Sequence, residues 1–233
     1  MQAAASGGQW LNQLLQAIAF SFMGRYHAEL GEHEQARRVL ESALEVAART
    51  GVPRDAVWPL INQAHTALGS GDEASLRTGL EKAKEVLELL SGAGADWIDA
   101  SIEAYHLVTQ MHLALGEPEA AFSTSAEVLR LAEMMPFPPT PERYFFVHSR
   151  ILRALGRGAE ADEYLQKAHE RVMLVASKTK DETLRRSWLE NVRDNREIVA
   201  GWERRRGDRV TATVSEKSGF CERPGFYFLV TGL

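Results

Sequence analysis

A single cysteine, Cys221, rules out an internal disulfide framework and fits a reducing compartment. Long apolar runs are missing as well, and no stretch of 18 or more apolar residues reads as a membrane span. Positive charge is not in excess. The 27 Lys and Arg against 32 Asp and Glu leave a formal net charge of −5, which argues against nucleic-acid binding by this chain alone through an overall positive field and leaves only a local basic patch open to it. Catalytic signatures are absent too: there is no GxxxxGK(S/T) phosphate loop, no GxGxxG after a strand, no GxSxG elbow and no HExxH. His27 and His33, like His106 and His112, stand six apart, outside any known ligand spacing, and read as packing or surface residues. Cys221 has no CxxC partner. No catalytic residue, metal ligand or cofactor is therefore expected. The opening "MQAAASGGQWLNQLLQAIAFSFMG" has no basic n-region, and Asn12, Gln13 and Gln16 interrupt it, so it reads as an amphipathic helix of a cytoplasmic chain and not as a signal peptide.

What is present is an ordinary globular mixture, 45% hydrophobic and 25% charged over 233 residues, with enough apolar mass for a core. Within it one stretch recurs. In "LGEHEQARRVLESALEVAARTG" (30–51), Ala36, Val39, Leu40, Ala43, Leu44 and Ala47 form one apolar stripe of helical period after Gly31. Gly31 also ends a preceding apolar run through Leu14, Ile18, Phe22 and Leu30. Leu76, Leu80, Ala83, Leu87 and Leu90 follow Gly71 in the same frame; Ala121, Val128, Leu129 and Ala132 follow Gly116; Ala161, Tyr164, Leu165, Ala168, Val172 and Val175 follow Gly156. The turn glycines are separated by 40, 45 and 40 residues, a period that predicts stacked helix pairs. Gly suits the sharp turn because it takes positive φ without steric cost. Glu41, Glu45, Glu81, Glu85 and Glu88 fall on outward faces, many with Lys or Arg three or four residues away, and read as a solvated surface.

This pattern resembles tetratricopeptide (TPR) repeats, with Gly24, Gly31, Ala36, Leu40 and Ala43 at the small and large positions of the first unit. The later units match less fully, since Ser125 stands where a large apolar residue is usual. The extra length over the usual 34 residues lies in the linkers "RTGVPRDA", "SGAGADWIDA" and "MPFPPTPERY" and in long second helices. The long period resembles the helical sensor arrays of bacterial multidomain signalling proteins, those linked to ATPase, cyclase, kinase or LuxR-type outputs. "DETLRRSWLENVRDNREIVAGWE" (181–203) is similar to the segment that closes such arrays. The resemblance implies a fragment or stand-alone version of the sensing part.

The fold expected is all-α: a right-handed solenoid of about four such helix pairs over 1–206, with a C-terminal capping helix. Asp181 caps that helix, Asp194 with Glu197 starts a further turn, and Trp188 and Trp202 cover the last repeat. In the tail, 207–233, Val210, Ala212 and Val214 alternate before turn residues and "FYFLVTGL", which reads as a β-hairpin or as disorder.

In TPR arrays the first helix of each pair faces a concave groove. Alignment on the turn glycines puts Ser21, Arg25 and Glu29 there from the first unit, and Trp58, Ile61 and His65 from the second. The third adds Glu103, His106 and Gln110, and the fourth Arg143, Phe146, Arg150 and Arg153. Arg143, Arg150 and Arg153 form a candidate seat for carboxylate or phosphate, or else pair with nearby glutamates. Ser21 and Arg25 replace the clamp residues of chaperone-binding arrays, which argues against chaperone tails as ligands. The function implied is non-enzymatic binding of a peptide or partner protein in that groove. The alternative is a sensory domain that binds a small anionic effector. A second copy joined through the tail or the Trp10 helix is a third course. Only coupled ionisable groups converging on one pocket would point to catalysis.

Overall fold

A computed structural model describes residues 2–92, 94–135 and 140–218, and all regular structure among them is helical. The helices are α1 (Gln2–Glu29), α2 (His33–Ala48), α3 (Val57–Ser70), α4 (Glu73–Leu89), α5 (Ile98–Ala114), α6 (Pro118–Glu133), α7 (Pro141–Ala154), α8 (Gly158–Lys178), α9 (Glu182–Glu190) and α10 (Arg193–Ser218). Single 3₁₀ turns, Pro53–Ala56 and Ala95–Trp97, lead into α3 and α5. The chain divides into two compact units, one closing at Ala168 and the other starting at His169.

The first unit is built from turns that the glycines make possible. Gly31, Gly71, Gly116 and Gly156 all adopt left-handed backbone, with φ of 81°, 74°, 76° and 74°. At three of them the same bonds close the helix end. Glu32 N–H donates to His27 C=O at 2.9 Å and Gly31 N–H to Ala28 C=O at 3.0 Å; Glu117 with Gly116, and Arg157 with Gly156, repeat the arrangement. These pairs satisfy carbonyls that the helix end would otherwise strand, and any L side chain at the glycine would cost about 1–2 kcal/mol.

From α1 to α7 each helix packs on the next, and α1 with α3, α3 with α5, and α5 with α7 also touch. The largest core lies among α3, α4 and α5, around Leu60, Ile61, Leu76, Val86, Leu107 and Met111. The expected stripes are the buried ones: Ala36, Leu40, Ala43 and Ala47 on α2, Leu76, Leu80 and Ala83 on α4, and Ala121, Val128 and Ala132 on α6. The opposite faces carry exposed ion pairs such as Arg37–Glu41, Lys84–Glu81 and Lys82–Glu85.

Small residues bring paired helices close. A Cβ on Gly24 would lie 2.5 Å from Leu40 Cγ and 3.2 Å from the Ala36 carbonyl, and one on Gly79 would lie 2.7 Å from Ala67 Cβ. Ser125, the departure from the large-apolar pattern, is buried with its Oγ 2.8 Å from His148 Nδ1. The space that a larger side chain would occupy holds that imidazole, which also meets Tyr164 edge-on at 4.4 Å.

The apolar run of α1 is sorted by the fold, and one expectation, for the tail, is corrected. Leu14 and Ile18 are partly buried, Phe22 and Leu30 are about half exposed, and the buried positions are Ala17, Ser21 and Gly24. A large side chain would hold α2 and α3 away, so the small face packs and the large one is left outside. In the tail, Val210, Ala212 and Val214 lie inside α10, so residues 207–218 are helix and not strand. A helix satisfies its own backbone, whereas a lone strand leaves its N–H and C=O groups unpaired. Residues 219–233, with Cys221 and "FYFLVTGL", lie outside the described residues.

In the second unit Asp181 caps α9, its carboxylate accepting from Leu184 N–H at 2.9 Å. Trp188 Nε1–H donates to the Val172 carbonyl at 3.2 Å, and Trp202 stacks on His169 at 5.2 Å. Glu197 accepts from Arg193 Nε at 3.0 Å in the first turn of α10. Among the described residues no helix is long and apolar enough to cross a membrane.

Candidate functional site

A cavity of about 370 Å³ opens among α1, α3, α5 and α7. From α1 come Phe22 and Arg25, and from α3 Trp58, Ile61, Asn62 and His65. Asp99 and Glu103 come from α5, Arg143 and Tyr144 from α7, with Thr140 just before α7. Ile61 and Asn62, each 1% exposed, are the most deeply buried of these. Asn62 Nδ2–H donates to Ser21 Oγ at 3.1 Å, and that hydroxyl donates to the Ile18 carbonyl at 2.7 Å, which ties α3 to α1 behind the cavity. The Phe22 and Trp58 rings lie 6.2 Å apart at 33° and form an apolar wall.

Three ionisable groups make the polar wall. His65 Nε2 lies 2.6 Å from Glu103 Oε1, and Arg143 Nη2 lies 3.8 Å from the same oxygen. Burial alone would raise the Glu103 carboxyl, but the hydrogen bond from His65 and the charge of Arg143 outweigh it and hold Glu103 well below the usual carboxylate range. Burial depresses His65 despite Glu103 beside it, with Arg25 and Arg143 adding to the effect. At neutral pH the pair is therefore a carboxylate accepting from the Nε2–H of a neutral imidazole. Behind it His106, 1% exposed, is pushed down to about 3 by burial and then by Arg143. It meets Tyr144 edge-on at 5.1 Å, and burial together with the Glu103 charge pushes that phenol up to about 12.

Thr140 adds a strained rim. It is the one non-glycine with positive φ among the described residues, at φ 43° and ψ 51°. A β-branched residue there costs on the order of 1–2 kcal/mol, and the following Pro141 further disfavours helical backbone at this position.

Of the residues expected in the groove, Arg25, Trp58, Ile61, His65, Glu103 and Arg143 line this cavity together. Ser21 is fully buried. Glu29 is exposed beside the cavity, accepting from Arg25 Nε at 3.1 Å. His106 is packed behind the wall, and Gln110, half-buried, does not reach the cavity. The three arginines expected as one anion seat are sorted apart. Arg143 lines the cavity, Arg150 lies over the Phe146 ring at 5.9 Å, and Arg153 pairs with Asp162 at 2.9 Å. Phe146 itself does not line the cavity.

Sequence reasoning missed Phe22, Asn62, Asp99, Thr140 and Tyr144. Helical spacing carried a signal for three of them: Phe22 precedes Arg25 by three positions, Asp99 precedes Glu103 by four, and Thr140 precedes Arg143 by three. The cavity reaches one turn further toward the amino ends of α5 and α7 than alignment on the turn glycines suggests.

Among the described residues no group of three or more His, Cys, Asp and Glu is placed to hold a metal ion. Compared with protein-family models and with curated proteins, the chain matches none at a significant level.

Proposed function

We propose that the chain is a non-enzymatic binding module, an array of about four TPR-like helix pairs in which the first helices present a groove to a peptide or partner protein. The observation that supports this most is the cavity itself. It draws lining residues from α1, α3, α5 and α7, and it sets an aromatic wall opposite fixed charges, the composition that seats a side chain and orients its backbone. The convergence of His65, Glu103 and Arg143 was the condition for considering catalysis. In this reading the three are a wall that orients ligand, because the Glu103 charge is already answered by its two neighbours.

A second reading, a cytoplasmic sensory domain of a bacterial signalling protein that binds a small effector, is favoured by the cavity's size. At about 370 Å³ it falls in the range of small-molecule sites.

Panning a random peptide display library on the immobilised chain tests the first reading. The selected peptides are then titrated onto the parent and onto Arg25→Glu and Trp58→Ala variants whose circular dichroism matches the parent. Loss of tenfold or more in affinity is expected, on the order of 1.4 kcal/mol. Peptides that bind both variants as tightly as the parent would put the site elsewhere.

A further inference from the structure

Resting on the reading of the cavity as a binding site, we infer that its ligand is a compact zwitterion that carries an ammonium, a carboxylate and an apolar group, as in an apolar α-amino acid or a short peptide with both ends free. Size sets the first limit. The volume of about 370 Å³ holds about a dozen waters, which matches a ligand of roughly 9–20 non-hydrogen atoms. Phe22, Trp58 and Ile61 supply the apolar surface for its body.

Charge supplies the second limit. Glu103 is engaged by His65 at 2.6 Å and by Arg143 at 3.8 Å. Arg25, on α1, is held by Glu29, which is 62% exposed, and an exposed pair of this kind is worth about 1 kcal/mol or less. Its guanidinium can therefore exchange that partner for a ligand carboxylate at little cost. Asp99, on α5, accepts from the Ala100 N–H at 2.8 Å and makes no ion pair among the described residues. The cavity thus offers one readily exchanged cation, on α1, and one acid without a counter-ion among the described residues, on α5, and both helices pack on α3. An anion alone would add a second negative charge beside Asp99, and a cation alone a second positive charge beside Arg25. A zwitterion answers both.

Isothermal titration of the intact chain with L-phenylalanine, L-leucine and the dipeptide Phe-Leu tests this, against N-acetyl-L-phenylalanine and L-phenylalaninamide, each of which lacks one charge. The zwitterions are expected to bind, and deleting either charge to weaken binding about ten- to a hundredfold. Arg25→Gln should erase the preference for phenylalanine over its amide while keeping the preference over the N-acetyl form, and Asp99→Asn should do the reverse. Tighter binding of Phe-Leu than of phenylalanine would identify a short peptide as the source, and the opposite order a free amino acid. The inference is overturned if the charge-deleted analogues bind as well as phenylalanine, if both variants keep both preferences, or if no zwitterion binds. In that last case Arg25-dependent peptides from the display library leave the binding-site reading standing without the zwitterion, and their absence removes both.

Discussion

Replacing Gly79 by alanine tests the close approach of α3 and α4 directly. An added Cβ would lie 2.7 Å from Ala67 Cβ, 2.6 Å from Met111 Cε and 3.4 Å from the Ala64 carbonyl oxygen. Ordinary carbon–carbon contact is ~3.5–4.0 Å. The Met111 methyl is the far end of a flexible side chain and can swing away. Ala67 Cβ cannot, because it is fixed to its own backbone, so α3 and α4 must part. Overpacking of this kind costs ~1–3 kcal/mol, and the immovable neighbour puts Gly79→Ala near the upper end. The better helix propensity of alanine returns about 1 kcal/mol, which leaves a net loss of about 1–2 kcal/mol. Gly69, within α3, is the control: a Cβ there meets nothing within 4 Å, so Gly69→Ala should gain up to about 1 kcal/mol. Urea unfolding followed by circular dichroism should separate the two variants by about 2–3 kcal/mol, with midpoints moving in opposite directions and slopes unchanged. Ala67→Gly should partly rescue Gly79→Ala, with a coupling of about 1–2 kcal/mol. If Gly79→Ala stabilises as much as Gly69→Ala, the two helices are not packed as closely as described.

Acid should weaken the fold before any carboxylate of ordinary pKa titrates. His106 and His148 are depressed from 6.5 to about 3 and about 4, in both cases first by burial. From pH 6.5 down to about 4 the unfolded chain protonates both positions and the folded chain neither, so stability present above pH 6.5 falls by about 1.4 kcal/mol per pH unit for each histidine. Glu103, also depressed, adds its loss only below its unfolded value of 4.5. A urea midpoint that stays flat from pH 7 to 5 would contradict the burial of these imidazoles, and His148→Asn should make the slope shallower. Ser125→Ala removes the hydroxyl 2.8 Å from His148 Nδ1 and should cost about 1–3 kcal/mol by leaving a buried nitrogen unpaired, read from the same urea curves; a change within error would mean the bond contributes nothing.

Residue order alone determined the helix pairs of the first unit and where they turn. Gly31, Gly71, Gly116 and Gly156 are legible because a left-handed turn is a property of the local backbone, and the stripes of α2, α4 and α6 are legible because one helix with one packed face writes its period into the sequence. The cavity was legible by half. Arg25, Trp58, Ile61, His65, Glu103 and Arg143 followed from alignment on the turn glycines, while Asp99, Thr140 and Tyr144 depended on how far along α5 and α7 the walls stay open.

The rest belongs to tertiary structure. Hydrophobicity favours Phe22 and Leu30 as the inner face of α1, but two neighbouring helices approach closely enough only over Ala17, Ser21 and Gly24, so closeness won over apolar area. Arg143, Arg150 and Arg153 look equivalent in the sequence, and only their surroundings separate them, as cavity wall, partner of an aromatic ring and partner of Asp162. A charged side chain reaches several ångströms and takes the nearest acid or ring that the fold supplies. That choice is made between helices, which is why periodicity along one of them does not carry it.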